Sequence, residues 1–522
     1  MAPKRGAATR GAPTGRTKSF PAPVGGLNAV DSIAAMPQTD AVVLDNWFPT
    51  PTFVSLRNGY EQWKTGLPAF VETLMGYSSL TTTEKLFGIS GTSVYDCTAS
   101  GAVGAAVVTG LTNARWEYTN VAAPGGTSLY ACNAVDKPLY YNGTSWVKVD
   151  GSSTPAITGV TTTTLRNPVV WKSRLWFVQD STNLAWYLPP QSIGGAATSF
   201  DLSTIFRLGG SLQVIMTFSI ASANSFDDYI GFLSSEGELA VYQGTDPSTA
   251  GDFLIVGVYR CGKPIGRRCW FKYGADAIII CADGLVSVTK LISVGIQQPE
   301  DAISYKIIQL INNDAQMYGG NFGWEGVVYP LGNKIIINVP ENTNSRVHQY
   351  VQNTVNSAWC SFGLNNSPWT AATFCCLGNN LYFGGAGFVA LCDTGQNDAG
   401  TQILGSGVPA FSYMGTDKQK QFTMVRPILQ TTGDVTPAMA LNTDFNVSLP
   451  TGTPTFSGTT ASLWNVALWN VSYWSTGPTI QKNWQTVTGI GFSASIYLQV
   501  ASKLASVNWL SNDFVLRDGG IL

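Results

Sequence analysis

Short runs of alternating apolar and polar residues, separated by Gly, Asn and Asp turn formers, fill the chain from about Glu84 to about Thr394. Examples are EKLFGISGTSVYD (84–96), KPLYYNGTSWVKV (137–149), SRLWFVQDSTNLAWYL (173–188), GELAVYQG (237–244), DAIIICADGLVSVTKL (276–291), NKIIINVP (333–340) and NNLYFGGAGFVALCD (379–393). A period of two bounded by turn residues predicts antiparallel strands, and helical spacing is almost absent. Recurrence at irregular intervals of about 35 to 50 residues predicts an all-β propeller without a strict consensus. Six or seven irregular blades can be counted, at 70–125, 126–168, 169–225, 226–272, 273–322, 323–368 and 369–400.

The flanks read differently. Residues 1–30 are rich in Gly, Pro and basic side chains, which predicts a flexible arm carrying Lys4, Arg5, Arg10, Arg16 and Lys18. Residues 31–69 form an extended lead-in and a first hairpin. Its text DAVVLDNWFPTPTFVSLRNGYEQW (40–63) places prolines where a helix is forbidden and a turn at Asn58 and Gly59. Asp40, Asn46, Trp47, Pro49, Arg57, Gly59 and Tyr60 are its candidate structural anchors, with Arg57 expected to hold the lead-in through a carboxylate or backbone carbonyls. The propeller-like domain spans 70–404. From 405 to 522 strong alternation with long Thr and Ser turns predicts a β-sandwich or sheet platform. Trp464, Trp469, Trp474, Trp484 and Trp509 there suggest an oligomerisation surface.

Composition sharpens the picture in three ways. Charged residues are 12% of the chain, against roughly 25% in ordinary soluble domains, which fits a subunit whose faces are covered by neighbours. A surface protein that uses Ser, Thr and Asn as its solvent face fits as well. Once the basic arm is set aside, acids outnumber bases, so the body is a poor binder of duplex nucleic acid. Nine cysteines lie mostly in apolar strand text without a C-x-x-C pair, which favours buried thiols over disulfides or zinc. No signal peptide and no apolar run long enough for a membrane helix is expected.

No catalytic constellation emerges, and no cofactor is implied. His348 is the single imidazole, in strand-like SRVHQYVQ, and reads as an ordinary hydrogen-bonded or exposed histidine. G-x-S-x-G and phosphate-loop text are absent. Asp227, Asp228, Glu236 and Glu238 are the densest carboxylates inside one unit, with solvation as their ordinary explanation. The internal basic cluster YRCGKPIGRRCWFKYG (259–274) carries Arg260, Lys263, Arg267, Arg268 and Lys272 among aromatic residues. It suits DNA phosphates or acidic groups on a neighbouring subunit equally.

The lead-in and the blade-like middle resemble the tail nozzle proteins of short-tailed bacteriophages, also described as tail tubular protein B or packaged-DNA stabilisation protein. The matching text is Asp40, Ala41, Leu44, Asn46, Pro49, Arg57, Gly59 and Tyr60, with Val425, Arg426 and Pro427 later. That resemblance implies a non-enzymatic homo-hexameric ring in the virion tail, assembled in the host cytoplasm. It further implies an adaptor or head–tail connector ring above, and tail fibres, spike or needle proteins as neighbours. Packaged double-stranded DNA would make transient contact in the lumen, gated by loops such as 385–389 and 189–197. The other reading is a propeller-type adhesin or glycan-binding protein on a virion or cell surface, using the same aromatics as saccharide platforms.

Overall fold

The computed structural model describes residues 15–519 apart from 81–83, 222–225, 250, 296–299, 301, 343–345, 364–368 and 458–476. The chain is all-β but for short helical pieces, and it divides into two compact units. The larger, Asn58–Thr354 with Phe362–Ala399, is the propeller. Four blades stand as separate antiparallel sheets. Three have four strands and begin at Glu117–Ala123, Leu165–Trp171 and Leu212–Ala221, while the fourth has three and begins at Trp270–Tyr273. Glu325–Tyr329, Lys334–Asn342 and Arg346–Asn353 pair in succession, as do Thr373–Leu377, Asn380–Gly384 and Ala386–Cys392.

One long strand, Tyr60–Ser78, serves two sheets. Its first half pairs with Ala386–Cys392, Tyr60 lying opposite Cys392, and its second half pairs with Glu84–Ser90, Val71 lying opposite Ser90. The first and last sheets are thus joined through hydrogen bonds, which leaves no unpaired edge at the closure.

Alternation explains why the strands are apolar on both faces. In Gly126–Cys132, Leu129 and Ala131 enter a core with Phe87 and Tyr141, whereas Tyr130 and Cys132 enter a second core with Leu175 and Phe177. Leu212 and Ile215 likewise pack with Trp176, while Val214, Met216 and Phe218 face Ile279 and Val286. Each blade is buried between two neighbours, so its strands carry few charges. The low charged fraction therefore has an internal cause that needs no covering subunits. All nine cysteines are free. Burial pushes the thiols of Cys97, Cys261, Cys269 and Cys375 up to about 12, which keeps them protonated and unreactive.

A recurrent turn appears in four successive sheets. Asp96, Asp150, Asp201 and Asp246 each stand two residues before a Ser or Thr, and each Oδ1 accepts the backbone N–H of that residue at 2.8–3.0 Å. Side-chain hydrogen bonds, led by those from Lys137, Ser203 and Ser248, hold the carboxyls of Asp150, Asp201 and Asp246 below the ordinary 3.8. A carboxyl depressed in the folded state binds its proton more readily when unfolded. The stabilisation from these turns is therefore complete above the ordinary carboxylate value and is lost as pH falls through the folded values. Thermal midpoints measured across the acid range should decline below about pH 4, with no comparable loss between pH 5 and 7.

The smaller unit gathers the chain up to Arg57, Val355–Ser361 and the chain from Gly400 on. In one of its sheets the strands Lys420–Thr431 and Val507–Asp518 pair along their length. In another, Thr401–Pro409 lies between Asp40–Asp45 and Ala494–Ser502. Trp47 and Trp509 meet at 5.6 Å between ring centroids. Gly405 and Gly407 lie beneath them: a Cβ would sit 2.8 Å from Trp47 Nε1 at the first and 2.8 Å from Trp509 Cζ3 at the second.

Four expectations are corrected. Arg16–Pro21, expected within a flexible arm, is a strand paired with Val507–Asp518, because alternate burial in RTKSFP and an Arg16–Asp518 ion pair of 2.7 Å fix it there. The sheet expected to open at 226 begins at Leu212, whose strand is apolar on both faces and so lacks the alternation that marks a boundary. The propeller ends at Ala399 and gives up 355–361 to the smaller unit. Residues 288–291, read as the end of a strand pair, fall in helix α1 (Val288–Val294), where the Ser287 side chain accepts the Lys290 N–H and outweighs the β-branched residues that follow. A second helix, α2 (Ile308–Tyr318), was not foreseen either.

Candidate functional site

Seven strands of the propeller unit each place a residue on one cavity of about 370 Å³. In chain order these are Thr73, Glu117, Asn167, Thr217, Trp270, Glu325 and Thr373. Tyr118 and Phe374 add aromatic wall. The cavity is where the sheets converge, so its lining is drawn from the whole unit.

Arg268 ties this hub together. Its guanidinium meets Glu325 Oε2 at 2.7 Å and donates to Thr373 Oγ1, Thr73 Oγ1, the Glu72 carbonyl and the Trp116 carbonyl at 2.7–3.1 Å. Those acceptors belong to four different strands or their approaches. Glu325 also accepts the Phe374 N–H. Burial pushes the Glu325 carboxyl above its usual range, against the pull of the Arg268 charge. Two guanidinium groups lie over the Phe322 ring, Arg115 at 4.9 Å and Arg268 at 5.0 Å from its centre.

Glu117 is the one hub carboxylate with an incomplete set of partners. Its Oε2 accepts the Asn167 N–H at 2.7 Å, while Oε1 is buried and has no hydrogen-bond partner. Asn167 has φ of 48°, a left-handed conformation in which its Oδ1 accepts the Ile215 N–H at 2.8 Å. Backbone strain of this kind is held only where the surroundings enforce it. Here it positions Glu117.

The sequence-derived candidates are placed as follows. Arg268 and Arg267 line the cavity. Arg267 donates to the Asn133 carbonyl at 3.0 Å and lies 3.7 Å from Asp180. Lys263 is exposed and paired with Glu236 at 2.6 Å, and Arg260 and Lys272 are exposed strand residues. This cluster is not one basic face. Its arginine pair is directed into the fold, where carbonyls and carboxylates use its donors. Lys4, Arg5 and Arg10 lie outside the described residues, as do Trp464, Trp469 and Trp474. Lys18 stands opposite Phe514 in the strand pair.

Of the lead-in residues, Asp40 is buried and accepts from Asn28 at 2.8 Å. Asn46, at φ 58°, accepts the Arg57 Nε–H at 2.8 Å and donates to the Leu404 carbonyl. Pro49 closes the strand Trp47–Pro49 opposite Val54. Arg57 is 2% exposed, so alanine there should cost about 1–3 kcal/mol. A urea midpoint unchanged from the parent would show that its donors carry no stability. In the propeller unit, Gly59 leaves no room for a side chain, since a Cβ would fall 1.8 Å from the Asn397 carbonyl oxygen. Tyr60 packs edge-on against Phe383 at 4.9 Å and Trp369 at 5.6 Å.

Glu117, Asn167 and Glu325 were not singled out from the sequence. The signal was there: Trp-Glu occurs at 116–117 and at 324–325, and both glutamates lie at the start of a cavity-lining strand. Among the described residues no group of three or more His, Cys, Asp or Glu could hold a metal ion.

No protein-family model and no curated protein matches the chain. Solved structures do match. One is "BBS1N in complex with ARL6DN, soaked with lead", at TM-score 0.37 and 10% identity, covering 64% of this chain and 97% of that one. Another is "YCF48 bound to D1 peptide", at TM-score 0.37 and 8% identity, with 68% and 98% covered. A third is "SapL1 lectin in complex with alpha methyl fucoside", at TM-score 0.28 and 13% identity, with 58% and 95% covered. None of the three is a tail protein, and the expectation of a tail-nozzle DNA conduit is withdrawn. The inward use of Arg267 and Arg268 agrees, because it removes the internal basic patch that phosphates would have met. No helix among the described residues is long and apolar enough to cross a membrane.

Proposed function

We propose that the chain is a glycan-binding propeller of seven blades that takes a small saccharide in its hub cavity. The blade number is supported by the seven strands that each line the cavity and by the closing strand Tyr60–Ser78, shared between the first and last sheets. The observation that carries the ligand reading is Glu117 Oε1, a buried carboxylate oxygen without a donor on the wall of that cavity. An unpaired buried acceptor is costly, and a ligand hydroxyl would satisfy it. Around it, Trp270, Tyr118 and Phe374 offer aromatic faces, while Thr217 and Arg267 offer hydroxyl and guanidinium donors. That mixture suits a sugar ring, whose C–H face stacks and whose hydroxyls donate and accept. The volume of about 370 Å³ falls within the range of small-molecule sites.

The test is a saturation-transfer NMR screen of neutral and acidic monosaccharides against the full chain, followed by calorimetry on hits. Glu117→Gln keeps an acceptor for the Asn167 N–H but turns the other oxygen into a donor. It should weaken a bound sugar at least about tenfold, a loss of about 1.4 kcal/mol. Absence of any saccharide signal at millimolar ligand, or binding indifferent to Glu117→Gln, would overturn the proposal.

A further inference from the structure

The strand Leu254–Arg260 ends its sheet, paired on one side with Glu238–Gln243 through a register that shifts at Val256, and among the described residues no strand pairs with its other side. Sheet margins normally carry charge, proline, a short strand or a covering element. The other separate sheets obey this. The blade ending at Trp146–Lys148 has a three-residue margin, Thr198–Asp201 is the polar TSFD, and Gly284–Ser287 runs straight into α1. Leu254–Arg260 reads LIVGVYR, and Leu254, Ile255, Val256 and Val258 are 58%, 44%, 43% and 42% exposed. No other strand among the described residues exposes so many large apolar side chains.

We propose that this strand is the docking edge for the same strand of a second copy of the chain, paired antiparallel about a two-fold axis at Val256. Two-fold antiparallel pairing places one residue opposite itself, so the candidate registers are few. Centring on Val256 sets Leu254 against Val258, and Asp252 of each copy against Arg260 of the other. Both ends of the joint then carry opposite charges, whereas centring on Gly257 sets Arg260 against Leu254 and loses both pairs. Charge complementarity therefore selects the occupant and the register together. Asp252 is held for this by the Thr245 hydroxyl at 2.7 Å and the Asp246 N–H at 2.7 Å. Arg260 is exposed. This inference is independent of the hub cavity and its ligand.

Sedimentation velocity on the full chain over a concentration series tests it. A reversible monomer–dimer equilibrium is expected. Val256→Lys would put two ammonium groups face to face on the axis and should raise the dimer dissociation constant at least about tenfold, a shift of about 1.4 kcal/mol. Its circular dichroism should be unchanged, because Val256 is on the surface. Arg260→Asp should weaken the dimer, and Arg260→Asp with Asp252→Arg should restore it. A monomer at every concentration, a dimer insensitive to Val256→Lys, or a double swap no better than the single change would each overturn the proposal.

Discussion

Replacing Arg268 with alanine is expected to destabilise the propeller unit by about 3–5 kcal/mol, the cost of removing one partner from a buried ion pair. The side chains of Arg268 and Glu325 are 13% and 10% exposed, so solvent does little to screen the loss. Alanine would leave the Glu325 carboxylate without its cation. It would also strip a donor from the Thr73 and Thr373 hydroxyls and from the Glu72 and Trp116 carbonyls. Lysine should recover only part of the stability, since an ammonium cannot span acceptors in a planar fork. Urea denaturation of the parent, alanine and lysine chains measures this. A shift within about 0.5 kcal/mol for alanine would make the hub arginine a surface residue in energetic terms. The raised Glu325 carboxyl adds a pH signature. A carboxyl raised in the folded state binds its proton more tightly when folded, so this site favours folding toward acid, opposite to the turn aspartates.

The second large effect is expected at His348. Its Nδ1 lies 2.9 Å from Glu341 Oε1 and its Nε2 3.1 Å from Asp314 Oδ2, in a site where the histidine is 2% exposed. Tyr350 also donates to Asp314 Oδ2, at 2.6 Å. His348→Leu keeps most of the volume and removes both ring nitrogens from between the two acids, which should cost about 1–3 kcal/mol for each buried partner left unpaired. Because Asp314 is on α2, the loss should appear first as faster amide exchange along Ile308–Tyr318. Exchange unchanged in that helix would show that the imidazole does not anchor it.

The two sites mark how far the sequence could be read. Period two gave the strands, because sheets buried between neighbours still alternate in which core each residue joins, as Leu129 and Tyr130 do. Asp-x-Ser or Asp-x-Thr at 96, 150, 201 and 246 is a local signal that the sequence reading passed over, since the carboxylate and the N–H it caps are two residues apart. The hub was not. Arg268 meets Thr73 across 195 positions and Trp116 across 152, and no local pattern encodes such encounters. A cluster of arginines among aromatics looks the same in sequence whether it faces phosphates or the protein's own carbonyls. His348 reads as an ordinary hydrogen-bonded or exposed histidine, and it is hydrogen-bonded; its contact with Asp314, 34 positions away, leaves no local mark in the sequence.

The smaller unit has a consequence for how the chain is made. Arg16 meets Asp518 across 502 positions, and the strand that begins at Arg16 hydrogen-bonds only when Val507–Asp518 has emerged. Every segment of the propeller unit is by then already synthesised. During translation the propeller is therefore free to close first, while Arg16–Pro21 waits for its partner near the other terminus and Asp40–Asp45 for Thr401–Pro409. Loop closure over so many residues makes this the slow phase of folding. A nascent chain stalled shortly after Ala399 should already protect the propeller from protease, yet leave its N-terminal strands open to cleavage and to chaperone capture.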